Sequence, residues 1–251
     1  MTGQRIAARA AACAAVVALT VTTGATAHAD DDFESLPAQQ IADRAREALL
    51  AADSLRLHAQ GDLGEGREPM TIDLSLDRSG NCAGDIDLGS GKGDIKIVKR
   101  GDDVWVKPDS DFWENQVPIG GEAFEAVVAG RYLKGDASDS RLRPAVQACD
   151  LDTFRELVAD NPGTGFTKGE VTTVDGVRTV PVTRTDGDRL TTTTYVDSGG
   201  DHHPVRITLR GDGADAAVDL SDYGTPVPTA TPSADETVDI SSLLSRTSAP
   251  S

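Results

Sequence analysis

Histidine and cysteine, the residues most often recruited as metal ligands, nucleophiles and proton shuttles, are rare here: four His and three Cys in 251 residues. Past residue 30 the histidines are His58, His202 and His203. A zinc site needs three or four convergent ligands. The adjacent pair in Asp201-His202-His203 should send its side chains in different directions at a turn before Pro204, so a hydrated loop is expected. The carboxylate pairs Asp109/Asp111 and Asp150/Asp152 lack the glycine and closing glutamate of a calcium loop. Asp150 and Asp152 are better placed to cap a following helix. Ser90 lies in Gly89-Ser90-Gly91, and no Gly-x-Ser-x-Gly elbow occurs. Gly91-Lys92-Gly93 lacks both the hydroxyl residue after lysine and the upstream glycine of a phosphate loop. Arg-Gly-Asp occurs at 100–102 and at 210–212, between expected strands, where Gly-Asp is ordinary turn chemistry. The 41 acidic residues single out no glycosidase pair. No catalytic residue, metal or cofactor is assigned, and an enzyme is not expected.

The cysteines point to a compartment instead. Arg5 and Arg9 precede an apolar run from Ala10 to Thr23, and Ala27-His28-Ala29 is a small-x-small cleavage signal before Asp30. This pattern predicts a secretory signal peptide over 1–29, since the run is too short to span a bilayer. Cys13 sits near the start of that run, which continues through Val16, Val17 and Leu19. A lipid-modified cysteine should close such a run, so anchoring at Cys13 is not expected and the protein should be freely secreted. Cys82 and Cys149 then remain as an even pair in an oxidising compartment, where a disulfide is the default.

Charge narrows the partners. The formal net charge is −17, and it deepens once the two leader arginines are lost. Such a surface repels a phosphate backbone, so no nucleic acid is expected. Broad docking on an anionic membrane is disfavoured too, though not a local, transient contact. The hydrophobic fraction of 38% supports a packed core, while 4% aromatic residues argue against base- or sugar-stacking platforms.

Hydrophobic periodicity supplies the elements. Residues 36–53 read as a helix with Ile41, Ala45, Ala48, Leu49 and Ala52 on one face. From Ser54 the period becomes two. Five strands over 54–107 alternate with glycine-rich turns, as in Ile72-Asp73-Leu74-Ser75-Leu76. Residues 109–160 read as a helical insert carrying Phe112, Trp113, Phe124, Val127 and Val128, then Leu151, Phe154, Leu157 and Val158. Five more strands over 166–222 follow, with turns such as Asp175-Gly176 and Gly211-Asp212-Gly213. Val227–Pro232 should be extended, and 241–251 should be a flexible tail. No linker divides 30–240, so one α+β domain is expected. An antiparallel sheet of about ten or eleven strands with one apolar face must curl and be covered.

Two stretches carry a resemblance. One is Gly101-Asp102-Asp103-Val104-Trp105-Val106-Lys107-Pro108 with Phe112-Trp113; the other is Tyr195-Val196-Asp197, Pro204-Val205-Arg206-Ile207 and Ser221-Asp222-Tyr223-Gly224-Thr225-Pro226-Val227. In this order, after an amphipathic first helix, the chain resembles the LolA/LolB-type lipoprotein-carrier superfamily, specifically the LppX/LprG-type lipoproteins of actinobacteria. The resemblance spans about 36–240. It implies a curved antiparallel half-barrel with helices covering its concave face, an apolar cavity for acyl chains between them, and no catalytic residues. Members of that type are usually lipid-anchored, whereas this chain lacks a credible lipid-attachment sequence.

Three readings follow. The first is a secreted, non-enzymatic binder or carrier of lipid-like amphiphiles, expected as a monomer. Its candidate cavity residues are Leu55, Leu57, Ile72, Leu74, Leu76, Ile86, Ile95, Ile97, Val205, Ile207 and Leu209, with Trp105 and Phe124 nearby. The second is an extracytoplasmic regulatory or protein-interaction domain on the same fold, without a lipid. The third is a secreted hydrolase. Lys92, Lys96, Lys99 and Arg100 on one hairpin, and Arg131, Lys134, Arg141 and Arg143 in the insert, form either a solvated face or a basic rim that meets anionic headgroups.

Overall fold

The structure, a computed structural model, describes residues 33–241 apart from 64–67, 118, 161–162 and 188. The expected signal peptide, with Cys13, and the tail from 242 lie outside the described residues. A 3-10 turn, Phe33–Ser35, leads into α1 (Ala38–Ala51), which buries Ile41, Ala42, Ala45 and Leu49. The first meander is β1 (Ser54–Leu63), β2 (Met70–Asp77), β3 (Cys82–Asp87), β4 (Asp94–Arg100) and β5 (Asp103–Pro108). Next come α2 (Ser110–Gln116), α3 (Gly121–Val128), β6 (Tyr132–Asp136), α4 (Arg143–Ala148) and α5 (Leu151–Asp160). The second meander is β7 (Thr167–Lys168), β8 (Thr172–Val174), β9 (Val177–Asp186), β10 (Leu190–Asp197), β11 (Pro204–Gly211) and β12 (Ala214–Ser221), and β13 (Thr237–Asp239) ends the described chain's strands.

All thirteen strands belong to one open sheet, in the order β13-β6-β5-β4-β3-β2-β1-β12-β11-β10-β9-β7, with β8 also on β9. Pairing of β1 with β12 joins the two meanders through their first and last strands. Every pair is antiparallel except β13 with β6. This is the expected α+β half-barrel with a helical cover.

The strand count exceeds the expected ten or eleven for physical reasons. The insert is not wholly helical, because β6 buries only Leu133 and so shows no alternation to read. The stretch 166–174 is two short strands, both on β9, rather than one. The C-terminal segment pairs at Thr237–Asp239, beyond the Val227–Pro232 stretch, where parallel pairing with β6 and burial of Ile240 hold it.

Local chemistry sets the helix starts. Asp109 caps α2, its Oδ1 accepting from Phe112 N–H at 2.9 Å. That cap seats on the start of β4. A side chain at Gly93, whose φ is +95°, would lie 2.2 Å from the Phe112 nitrogen, so the close approach requires glycine. Asp150 caps α5, accepting from Thr153 N–H at 3.0 Å and Thr153 Oγ1 at 2.8 Å.

The Cys82–Cys149 disulfide fastens the α4–α5 junction to β3, closing 67 residues. Loop closure of that length is worth about 4 kcal/mol in the chain-entropy model. The double replacement Cys82→Ser/Cys149→Ser should therefore lower unfolding free energy by about 2–4 kcal/mol in urea titrations; a change under 1 kcal/mol would show that packing alone fixes the cover.

Candidate ligand site: a partly covered apolar trough

Strand register sorts the inner-face side chains into three rows that run across the sheet. The first row is Leu55, Leu76, Cys82, Lys99 and Val104. The second is Leu220, Leu57, Leu74, Gly84, Ile97, Val106 and Leu133. The third is Ile207, Val218, Ala59, Ile72, Ile86, Ile95 and Pro108.

Cover falls off from row to row. In the first row every apolar side chain is buried, and Lys99 reaches the Gly80 carbonyl at 2.7 Å. In the second, Leu74 and Ile97 are each 1% exposed, and only Leu57 and Gly84 are not fully buried. In the third, Ile72, Ile86, Ile95, Val218 and Ile207 are only half-buried. Trp113 of α2, Val128 of α3, Leu142, Leu151 of α5 and Leu49 of α1 pack over the closed rows. A separate cluster joins Ile41, Ala42 and Ala45 of α1 to Val180, Val182 and Val196. The result is a trough: aliphatic floor, closed at one end by helices and only partly covered along the third row, where Ala59 and Pro108 are buried and the larger aliphatic side chains are not. Each square ångström of apolar surface left in water is unfavourable by about 25 cal/mol, so five half-covered aliphatic side chains favour an apolar occupant.

The structure brings together Leu55, Leu57, Ile72, Leu74, Leu76, Ile86, Ile95, Ile97, Phe124 and Ile207 in one cluster. Leu55, Leu74, Leu76 and Ile97 are its packed base, and the half-buried members line the open part. Val205 and Leu209 are half-buried and share the face of Ile207 on β11, two residues to either side of it, but belong to neither cluster. Trp105 is placed elsewhere: it pairs with Val98 and Lys134 on the outer face, and the Lys134 ammonium lies 5.0 Å from its ring centre. Val104, Trp105 and Val106 are all apolar, so the sequence alone did not say which of them faces in. Trp113, which the helical spacing places with Phe124 in the insert, touches it with ring centres 5.1 Å apart and is part of the trough's roof.

Most of the basic residues are tied to near neighbours. Lys92 pairs with Glu68 at 2.6 Å, Arg100 donates to the Cys82 and Lys99 carbonyls, and Arg131 to those of Val127 and Val128. Lys134 pairs with Asp103 at 2.9 Å, and Arg141 with Asp139. The outer face carries ion pairs such as Arg56–Asp73, bidentate at 2.6 and 2.8 Å. The Arg56 guanidinium holds the Asp73 carboxyl below its ordinary range. Ser90 sits in the β3–β4 turn with φ +50°. Among the described residues no three His, Cys, Asp or Glu side chains gather as a metal set.

Shallow clefts lie outside the trough's buried base. One of about 450 Å³ is at the end of β1, β2 and β12, lined by Gln60, Met70, Asp87, Arg210, Asp215 and Ala216 among others. One of about 260 Å³ adjoins Cys149 and Lys99. Another, about 380 Å³, lies between the end of α1 and the β10–β11 turn, beside His203 and Tyr223. There the His203 ring stacks on Tyr223 with centres 4.0 Å apart, His202 stacks on Phe33 at 3.8 Å, and the Tyr223 hydroxyl donates to the Pro204 carbonyl at 2.8 Å. Burial pushes the Tyr223 phenol up and the His203 imidazole down from 6.5.

These features define a fold class: an open, curved half-barrel whose helices cover one sheet face. No protein-family profile matches the sequence, and no curated protein matches it. Among solved structures, LprF from Mycobacterium bovis has a similar fold, with a TM-score of 0.54 at 17% identity over 78% of this chain and 97% of LprF. The Mycobacterium tuberculosis lipoprotein LppX aligns with a TM-score of 0.47 at 15% identity, over 77% of this chain and 98% of LppX. A LolA superfamily protein from Nitrosomonas europaea gives 0.32 at 14% identity, over 77% and 96% of the two chains.

His203 gives this region a pH signature. Its folded pKa lies below the unfolded one, so its contribution to stability is complete above pH 6.5 and is lost as pH falls through that value toward the folded pKa. Between pH 7.5 and pH 5, His203→Gln should lose less stability than the parent in urea titrations; parallel losses would show that other groups set the slope.

Proposed function

We propose that this protein is an exported, non-enzymatic binder or carrier of lipid-like amphiphiles, held with the acyl part along the trough. The observation that carries the reading is the third inner row: Ile72, Ile86, Ile95, Val218 and Ile207 are aligned across five strands, apolar, and half-covered after the helices are in place. A fully packed core has no such row, and ligand sites for apolar molecules are concave and aliphatic with few polar groups. The fold shared with LprF supports it. No helix among the described residues is long and apolar enough to cross a membrane, and the leader pattern at 1–29 supports export. The Cys82–Cys149 disulfide fits an oxidising compartment. We retain the protein-interaction reading beside it, because α3 presents an exposed apolar face.

Native mass spectrometry of the exported protein, followed by organic extraction, tests the proposal. Near one amphiphile per chain is expected, and it should be lost in Ile86→Trp, which fills the open row without cutting the packed base. A clean apo mass with no uptake of added phospholipid or glycolipid would sink the carrier reading and leave the interaction domain.

A further inference from the structure

Helix α3 is apolar on both of its faces. Phe124 and Val128 turn inward, joining the main cluster, and Gly121 lies so close to α2 that a side chain there would meet the Trp113 carbonyl at 2.2 Å. On the other side Ala123, Ala126 and Val127 are exposed, with Val127 at 53%; Ile119, just before the helix, is 92% exposed. Glu122 and Glu125 take the remaining edge of the helix. Of the three large apolar side chains most exposed among the described residues, two are on this ten-residue stretch, and the third, Val171, is 36% exposed. Exposed aliphatic side chains at both ends of one short helix, with exposed alanines between them, offer anchors for a partner.

Charge selects the occupant. Helix α3 carries Glu122 and Glu125, the α2 helix packed beside it carries Asp111 and Glu114, and neither helix carries a basic residue. The first arginine after α3, Arg131, is spent on the Val127 and Val128 carbonyls at the helix end. An anionic lipid surface is repelled by these carboxylates, and so is a second copy of this chain at −17. We propose that the outer face of α3, with Ile119 and Val127 as anchors, docks an amphipathic helix of a partner protein whose apolar stripe is flanked by Lys or Arg. The inner face of the same helix roofs the trough through Phe124, so a docked partner sits one helix away from the apolar floor. The inference stands whether or not the trough holds a lipid.

The probe is a fluorescein-labelled amphipathic peptide of Leu and Lys, titrated against the folded full-length chain by anisotropy, with phosphatidylglycerol vesicles in parallel. Binding that weakens with salt is expected. Ile119→Ser/Val127→Ser, which leaves charge unchanged, should weaken it about tenfold, and Glu122→Gln/Glu125→Gln should flatten its salt dependence. Unchanged affinity in the Ser pair would mean generic attraction to an acidic surface and overturn the proposal. So would binding to the vesicles with none to the peptide. Circular dichroism of each variant confirms that these exposed replacements leave the fold intact.

Discussion

The structure turns on one mismatch: a very wide sheet has a single apolar face, and its helices are too few to cover it. Eight neighbouring strands of the thirteen, from β11 to β6, present aliphatic rows to one side. Helices α1 to α5 bury the first two rows and leave the third half open. Water cannot be left against such a surface without cost, and a sheet this wide cannot fold over to hide it from itself while its edges stay apart. Curvature, the disulfide-fastened insert and the trough are all responses to that constraint.

The disulfide matters because the cover is assembled from short pieces. Helices α2, α3 and α4 have seven, eight and six residues, lengths that are not stable alone in water. They persist because Trp113, Val128 and Leu142 reach the sheet and because Cys149 is bonded to β3. On the opposite face the sheet is held by exposed pairs such as Arg56–Asp73 and Arg206–Asp219, each worth little on its own. These pairs keep the outer face polar, and so decide which face is inner.

Much of this was legible in the sequence, for reasons that residues make plain. Strict alternation in Ile72-Asp73-Leu74-Ser75-Leu76 leaves one way to orient β2, and the same pattern recurs in β3 and β4. The helix at Ala38–Ala51 and the cap at Asp150 were equally clear. What failed were places without contrast. Tyr132–Asp136 has one buried side chain, so β6 has no period, and β13 is three residues long. Val104-Trp105-Val106 has no polar member to mark the outward position, and Trp105 went to the outer face. In α3 helical spacing put Val127 beside Phe124 and Val128, yet only packing decides which of two apolar faces is covered. The partly covered third row was invisible for the same reason: sequence shows that Ile86 and Ile97 both face inward, not that only one of them is roofed.

Isoleucine methyl NMR reads the roof directly, because the isoleucines sample every environment: Ile72, Ile86, Ile95 and Ile207 in the open row, Ile97 in the packed base, Ile41 on the buried face of α1, Ile240 at the sheet edge and Ile119 in solvent. Titration with a lysophospholipid below its micellar concentration should move the four open-row methyls together, with saturation near one ligand per chain, and leave Ile41 and Ile240 in place. If none of the four moves, or if Ile119 alone responds, the trough is not a ligand site.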